Sequence, residues 1–443
     1  MSQPPRNVKL VLGSRAARAV RAGHPWVWKD GLDRPPAELS PAGTVVELVD
    51  RHGAFVARGL YDPGSPIAVR VYSRTAAEAL DEAWIAARVV DAARRRETMF
   101  DAAATEAYRL VHGEADGLPG VVCDRYGAVV VVRFDGAAAA TLAAPVERAL
   151  LGLPGIQRVF ERRDRRGERE EPGPRDATTA GEPEATRVRV SEQGLYYEAD
   201  LERGHKTGLY LDQRENRARV RELARGKRVL NLYAYTGGFS VAAAAGGARA
   251  TLSVDLSTPA IAAAERNLAL NGFGPPAHRV LVADVRKLLR AGLPEGGAWD
   301  LVVLDPPSFA PRQALVPRAL EAYRMLNRAV LARLEPGALL LTCSCSSHVN
   351  RATFVTTVGE AARAAGVAVR RLWVHGAGAD HPVLPAFPEG DYLKAVLLEV
   401  AGPRASASRP RARGRSGARG APHDGSRAPP RGRRSSAAKS RST

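Results

Sequence analysis

Over the first 75 residues, apolar and polar positions alternate in short runs separated by turn residues: VKLVL, GTVVELVD, GAFVARGLY and IAVRVYS. A period of two over so few residues is the pattern of half-buried strands, and several such strands curl most simply into a small β-barrel. A short basic helix lies between the first two strands, and His24-Pro25-Trp26-Val27-Trp28 reads as the loop that follows it. From Thr75 to about Thr105 the sequence is Ala-rich with spaced Leu, Ile and Val, which predicts helix connecting two domains. Tyr108–Phe134 predicts a turn over Gly113–Gly120 and then a hairpin, VVCDRYGAVVVVRF, with Cys123 an ordinary buried small residue. Arg162–Arg187 is charged, Pro/Gly-rich and almost free of apolar residues, so it is expected to be an exposed, disordered loop. Order resumes at Val188 with a hairpin-like segment, and strand and helix patterns then alternate to about Ala401. That alternation is the signature of a doubly wound α/β sheet of Rossmann-like type.

A chain of 443 residues exceeds one ordinary core. Four segments are expected: a small β-barrel that binds RNA (1–75), a central α+β domain carrying the 162–187 insert (76–195), the doubly wound domain (196–401) and a disordered basic tail (402–443). The net charge is +18, and the tail accounts for +11 of it with twelve Lys/Arg against one Asp. Such a distribution points to a polyanionic partner, nucleic acid before an anionic membrane, because no amphipathic or spanning segment accompanies the charge. Arg15, Arg18, Arg21 and Lys29 beside the Trp pair are candidate RNA contacts, while Trp26 and Trp28 are more readily core residues. Three cysteines cannot make a disulfide framework, and no signal core or long apolar run is present, so a soluble cytoplasmic protein is expected. The residues suggest no metal site.

Chemistry concentrates at the strand ends of the doubly wound segment. Val229–Leu232 runs into Gly237-Gly238 and a helix, a turn whose backbone can approach a ligand closely. The next three strands end in Asp255, Asp284 and Asp305. Asp255 suits two ribose hydroxyls, and Asp284 an adenine amino group. Three acids in one crevice fit a pyrophosphate poorly and S-adenosylmethionine well, since that cofactor carries a sulfonium and an ammonium but no phosphate. Asn231 and Tyr235, in the same NLYAYTGG run, join the cofactor candidates. Upstream in GHKTGLYLDQR, Lys206, Tyr210 and Gln213 are placed to close over cofactor or phosphate.

Asp305 opens a rigid DPPSF turn, and the following strand, LLLTCSCSSH, carries Cys343 and Cys345. A thiol beside a methyl donor suits C5 of a pyrimidine, a poor nucleophile until a thiolate adds at C6. Cys345 lies nearer the carboxyl end of the strand and is the favoured nucleophile, with Cys343 as packing. Nearby cations are expected to lower the thiol pKa, and Asp305 is a candidate contact for cytosine N3. The general base is open: GADHPVLPAFPEGDYLK offers Glu389 and His381, either of which could be structural. The enzymatic alternative is N-methylation of guanine or adenine through the DPP turn without a thiol. The non-enzymatic alternative is an RNA-binding assembly factor.

In their order along the chain, GHKTGLYLDQR, NLYAYTGGFS, LDPPSF, TCSCS and ADHPVLPAFPEGDYLK resemble the large-subunit ribosomal RNA cytosine-5 methyltransferases that carry an N-terminal PUA domain. KLVLGSRAARAVRAGHPWVW resembles the start of that PUA domain, and GEADGLPGVVCDRYG the central domain. The resemblance covers roughly residues 8–160 and 188–401. It implies a class I methyltransferase domain, S-adenosylmethionine as cofactor, a cytosine of 23S rRNA (free or in a ribosomal particle) as substrate and Cys345 as nucleophile; it leaves a homodimer open. Ser308 stands where two-cysteine RNA cytosine methyltransferases have a second Cys, as in the single-cysteine uracil-5 enzymes. The residues therefore leave cytosine versus uracil open.

Overall fold

Paired valine-rich strands set the frame of a computed structural model that describes residues 8–33, 40–162 and 186–403. Strands β1 (Val8–Val11), β2 (Trp26–Trp28), β3 (Val45–Val49), β4 (Phe55–Tyr61) and β5 (Ile67–Ser73) form one sheet in the order β1-β3-β4-β5-β2. Helix α1 (Ser14–Arg21) inserts Ala17 and Val20 into its core beside Leu48 and Val69. The segment expected as a loop contains β2, antiparallel to β5, because alternate residues there meet a neighbouring strand. Val27 is sealed, whereas Trp28 is 42% exposed rather than a core residue. The basic tail and most of the 162–187 insert lie outside the described residues.

Helix α2 (Glu82–Glu97), capped by Asp81 through the Trp84 amide at 2.8 Å, leads into a second sheet. That sheet is β6 (Ala107–His112), β7 (Val121–Tyr126), β8 (Val129–Phe134) and β9 (Arg158–Glu161), with α3 (Ala137–Ala140) and α4 (Ala143–Leu151) between its last two strands. Cys123 is fully buried in it. The hairpin β10 (Arg187–Glu192) and β11 (Leu195–Asp200) follows, its register closing at Glu192 and Leu195. A domain boundary at 195 would cut this hairpin in half. Its Val190, Tyr197 and Ala199 share a core with Ala107, Tyr126 and Val131 of the second sheet, and with Val241, Ala244 and Leu268 of helices described next.

From α5 (Arg214–Leu223) onward, the chain alternates: β12 (Arg228–Leu232), α6 (Gly238–Ala245), β13 (Ala250–Asp255), α7 (Thr258–Leu270), β14 (His278–Val282), α8 (Val285–Ala291), β15 (Leu301–Leu304), α9 (Val316–Leu331), β16 (Leu339–Ser344), α10 (Arg351–Ala364), β17 (Val367–His375) and β18 (Lys394–Pro403). The sheet order is β14-β13-β12-β15-β16-β18-β17, parallel except for β18, which runs antiparallel to both its neighbours. Leu230, Leu232, Val302 and Leu304 are fully buried, as helices on both faces require. Winding reverses between β12 and β15, so their carboxyl ends diverge into a crevice at the switch point. No helix among the described residues is long and apolar enough to cross a membrane.

Buried charge ties this sheet to the second one. Arg96 grips Asp116 with two bonds of 2.8 and 2.7 Å and also donates to the Asp380 carbonyl at 2.9 Å. The Asp380 carboxylate accepts from the Arg109 amide (2.8 Å), Arg214 (3.0 Å) and His381 Nδ1 (2.9 Å). Burial would raise this carboxyl, but His381 and Arg214 hold it well below the usual range. Its stabilising contribution is lost only as pH falls through that depressed value, so it is intact at neutral pH. Replacing Asp380 with Ala removes the nearest carboxylate from buried Arg214, leaving it Glu192 at 3.6 Å and the Ala107 carbonyl at 3.0 Å, and should cost about 2–3 kcal/mol, read as a lowered urea midpoint; Asp380→Asn should cost less.

Candidate active site

The chain leaves β12 through Tyr233-Ala234-Tyr235, and both tyrosines adopt left-handed backbone, with φ of 61° and 48°. Such strain persists only where surroundings enforce it. Here the Tyr235 amide donates to Asp255 Oδ2 at 2.9 Å, while its hydroxyl accepts from the His205 amide (2.7 Å) and donates to the Gly208 carbonyl (3.1 Å). His205 stacks on the Tyr235 ring, centroids 4.8 Å apart. Asp255 takes a second amide, from Ser257, at 3.0 Å. Asp284 caps α8 through the amides of Arg286 and Lys287.

These groups line a cleft of about 490 Å³ at the switch point. Of the residues singled out in the sequence, Lys206, Tyr210, Gln213, Tyr235, Gly238, Asp255, Asp284, Asp305 and Cys345 all face it. Others do not. Asn231 is fully buried between β12 and α6, where its amide donates to Ser240 at 3.0 Å. Gly237 stands behind the cleft; a Cβ there would lie 2.8 Å from that of Ala264, so α7 packing demands the glycine. His381 is buried against Asp380, and Glu389 is an exposed group whose carboxylate lies 3.6 Å from His24, so neither reaches the cleft as a base. Arg15, Arg18, Arg21 and Lys29 are exposed on the first sheet's side; Arg21 pairs with Asp50 at 2.6 Å and Lys29 donates to the Pro63 carbonyl at 2.9 Å.

Asp212, which the sequence reading passed over, enters the cleft one residue before Gln213. Its Oδ2 accepts from Lys206 Nζ and, at 2.7 Å, from the Tyr392 hydroxyl. Burial would raise the Asp212 carboxyl, but Lys206 holds it well below the carboxylate range, so it is ionised. Asp305 behaves oppositely: burial and the Asp212 charge push it up to about 7, although Gln213 donates to its Oδ2 at 2.9 Å. Near neutral pH Asp212 is thus ionised, whereas a substantial fraction of Asp305 keeps its proton.

Cys345 is half-buried just beyond β16, while Cys343 within the strand is sealed. Burial and Asp305 push the Cys345 thiol up to about 11, against the expected lowering, because these outweigh Lys206. The loop bearing this thiol is pinned to the DPPSF turn by Ser346 Oγ, which meets Ser308 Oγ (3.2 Å), the amides of Phe309 and Ala310 (3.2 and 3.3 Å) and the Tyr323 hydroxyl (2.8 Å). Lys394 Nζ, pushed down to about 8 by burial, donates to the carbonyls of Ser346 (2.6 Å) and Tyr392 (2.8 Å) from below. The antiparallel return of β18 sets Lys394 opposite Ser344, a register that local sequence does not reveal.

The donor set fits S-adenosylmethionine. Asp255 and Asp284 present carboxylates to the cleft, whereas Lys206 is committed to Asp212 and Arg217 to Glu192, an arrangement suited to a cationic ligand and poor for a pyrophosphate.

Sheet order, antiparallel β18 and cleft together define the S-adenosylmethionine-dependent methyltransferase class. The model of the S-adenosylmethionine-dependent methyltransferase family matches residues 165–398, and that of the PUA-like domain residues 10–74. The ribosomal RNA large subunit methyltransferase of Deinococcus radiodurans is 40% identical over 90% of this chain and 98% of its own length. Ribosomal RNA large subunit methyltransferase I of Klebsiella pneumoniae is 35% identical over 88% and 98%. The fold is shared with a structure solved in complex with S-adenosylhomocysteine, at a TM-score of 0.76 and 24% identity over 89% of this chain and all of the other. The chain belongs to the large-subunit ribosomal RNA methyltransferase family, enzymes that use S-adenosylmethionine and carry a PUA-like domain before the catalytic one.

Asp255→Ala should weaken S-adenosylhomocysteine binding about tenfold to a hundredfold, measured by calorimetry. Asn231→Ala should lower thermal stability while leaving the affinity of the folded protein within about twofold, since Asn231 bonds Ser240 and does not line the cleft.

Proposed function

We propose that this protein methylates C5 of a cytosine in 23S rRNA, through a transient bond between Cys345 Sγ and C6 of the base. The observation that carries the reading is one thiol, Cys345, facing the cofactor cleft beside Asp305 while its strand neighbour Cys343 is sealed. Amine methylation has no use for such a thiol. Ribosomal RNA as substrate rests on the names of the relatives and on the PUA-like domain.

When bound, S-adenosylmethionine supplies an electrophilic methyl group on a sulfonium. Asp255 and Asp284 hold the cofactor on the β13 and β14 side, and Cys345 and Asp305 take the base on the other. Neutral Asp305 gives its proton to cytosine N3, and the carboxylate so formed takes the thiol proton as sulfur bonds to C6. One carboxyl with a pKa of about 7 therefore serves as acid and then as base, and a thiol at about 11 need not ionise beforehand. C5, now enamine-like, accepts the methyl group and loses its proton to solvent water; as the C6–S bond breaks, Asp305 reprotonates the departing thiolate and then takes back the N3 proton, which restores the neutral carboxyl and the free thiol. The pinning of both loops by Ser346 keeps thiol and carboxyl in register.

Cys345→Ala should abolish methyl transfer while retaining S-adenosylhomocysteine binding, and Cys343→Ala should keep turnover within severalfold. RNA carrying 5-fluorocytosine at the target should trap a protein–RNA adduct with the unaltered protein; turnover by Cys345→Ala contradicts the covalent scheme. Because the reactive form holds Asp305 protonated, kcat/KM should be level below pH of about 7 and fall about tenfold per unit above it. A rate that climbs from pH 7 to 10 would instead assign control to thiol ionisation.

A further inference from the structure

We propose that Asp212 selects cytosine over uracil by accepting a hydrogen bond from the exocyclic 4-amino group through Oδ1. The proposal rests on the cytosine C5 reading above and names the residue that enforces it.

Asp212 is 2% exposed. Its Oδ2 is engaged by Lys206 and Tyr392, yet Oδ1, shielded from solvent, has no hydrogen-bond partner among the described residues. Buried carboxylate oxygens are nearly always paired, and Asp212 lines the ligand cleft, so its unpaired Oδ1 is an acceptor that a ligand donor can satisfy. The cofactor's ammonium is one source, but the surroundings of Asp212 favour the base. Asp212 influences Asp305 and Cys345, the groups assigned to the pyrimidine, and its chain neighbour Gln213 bonds Asp305 directly. Asp255 and Asp284 serve the other end of the cleft.

Chemistry then fixes which pyrimidine fits. Cytosine presents an acceptor at N3 next to a donor, the 4-amino group. Neutral Asp305 beside ionised Asp212 offers the complementary donor and acceptor. Uracil presents the reverse, N3–H beside the O4 acceptor, and would set O4 against an ionised carboxylate that Lys206 keeps charged. Discrimination therefore comes from repulsion of the wrong base as well as attraction of the right one. The Ser308 position leaves this choice open; Asp212 closes it.

The test uses the full chain as Cys345→Ala, loaded with S-adenosylhomocysteine so that no chemistry intervenes. The methylated nucleotide is first mapped in a 23S rRNA transcript treated with the unaltered protein. RNA fragments around it, differing only in cytidine, uridine or pyrimidin-2-one ribonucleoside at the target, are then compared by fluorescence anisotropy. Removing the 4-amino group, or changing to uridine, should weaken binding about tenfold or more. Adding Asp212→Asn should shrink both penalties to within about twofold, because the amide oxygen faces Lys206 and Tyr392 and its NH₂ replaces Oδ1. Equal binding of cytidine and pyrimidin-2-one to Cys345→Ala overturns the proposal without needing the second variant to fold. Unchanged penalties in the double variant overturn it too, as does a loss of S-adenosylhomocysteine affinity with base preference intact, which would give Asp212 to the cofactor. A mapped product methylated on nitrogen would instead fail the parent reading.

Discussion

Charges buried between the central sheet and the doubly wound domain hold the reacting groups in place. Arg214 and Arg217 project from the first turn of α5 onto Asp380 and Glu192, while from the other side the Arg96 guanidinium donates to the Asp380 carbonyl and the Arg109 backbone amide to its carboxylate. The two residues just before α5 are Asp212 and Gln213, so anchoring that helix aims both into the cleft. Arg217–Glu192 is an ion pair, whereas the bonds onto Asp380 from the central domain are hydrogen bonds; taking such charged groups out of water is costly, and an apolar contact would hold the parts together as well. Directional bonds, unlike apolar packing, fix the rotation of the helix end, and the chemistry depends on that rotation.

The same low-polarity setting creates the contrast on which the proposed reaction rests. Asp212 has a lysine and a tyrosine hydroxyl and stays ionised; Asp305, denied a cation of its own and facing that charge, is pushed up to about 7. An acid beside a fixed anion can read a donor–acceptor edge and can also move a proton. In the proposed reaction a single arrangement thereby links base choice to activation of the thiol, which burial holds at about 11.

Much of the catalytic domain was legible in the sequence because parallel strands announce themselves as apolar runs and their ends collect at one edge. Asp255, Asp284, Asp305 and Cys345 follow from that rule alone. Asn231 does not, since a residue inside β12 points toward a helix or the opposite face regardless of the motif containing it. Glu389 and His381 were plausible bases in a loop rich in ionisable groups, but the loop turns them toward His24 and Asp380. Asp212 left no local signal: its partner Tyr392 is 180 residues away, brought near by the antiparallel return of β18. The Cys345 thiol lies above the expected range for a related reason, because sequence shows nearby cations but not the burial that opposes them.

Site-resolved titration of the cleft carboxyls, by carbon-13 NMR of labelled aspartate with Asp305→Asn and Asp212→Asn as assignments, bears on these points at once. Asp305 should titrate at about 7 while Asp212 stays ionised through the whole acidic range accessible to the folded protein. Asp305 titrating in the ordinary carboxylate range near 4, or a neutral Asp212 at pH 7, would contradict both the proton route to N3 and the reading of the cytosine edge.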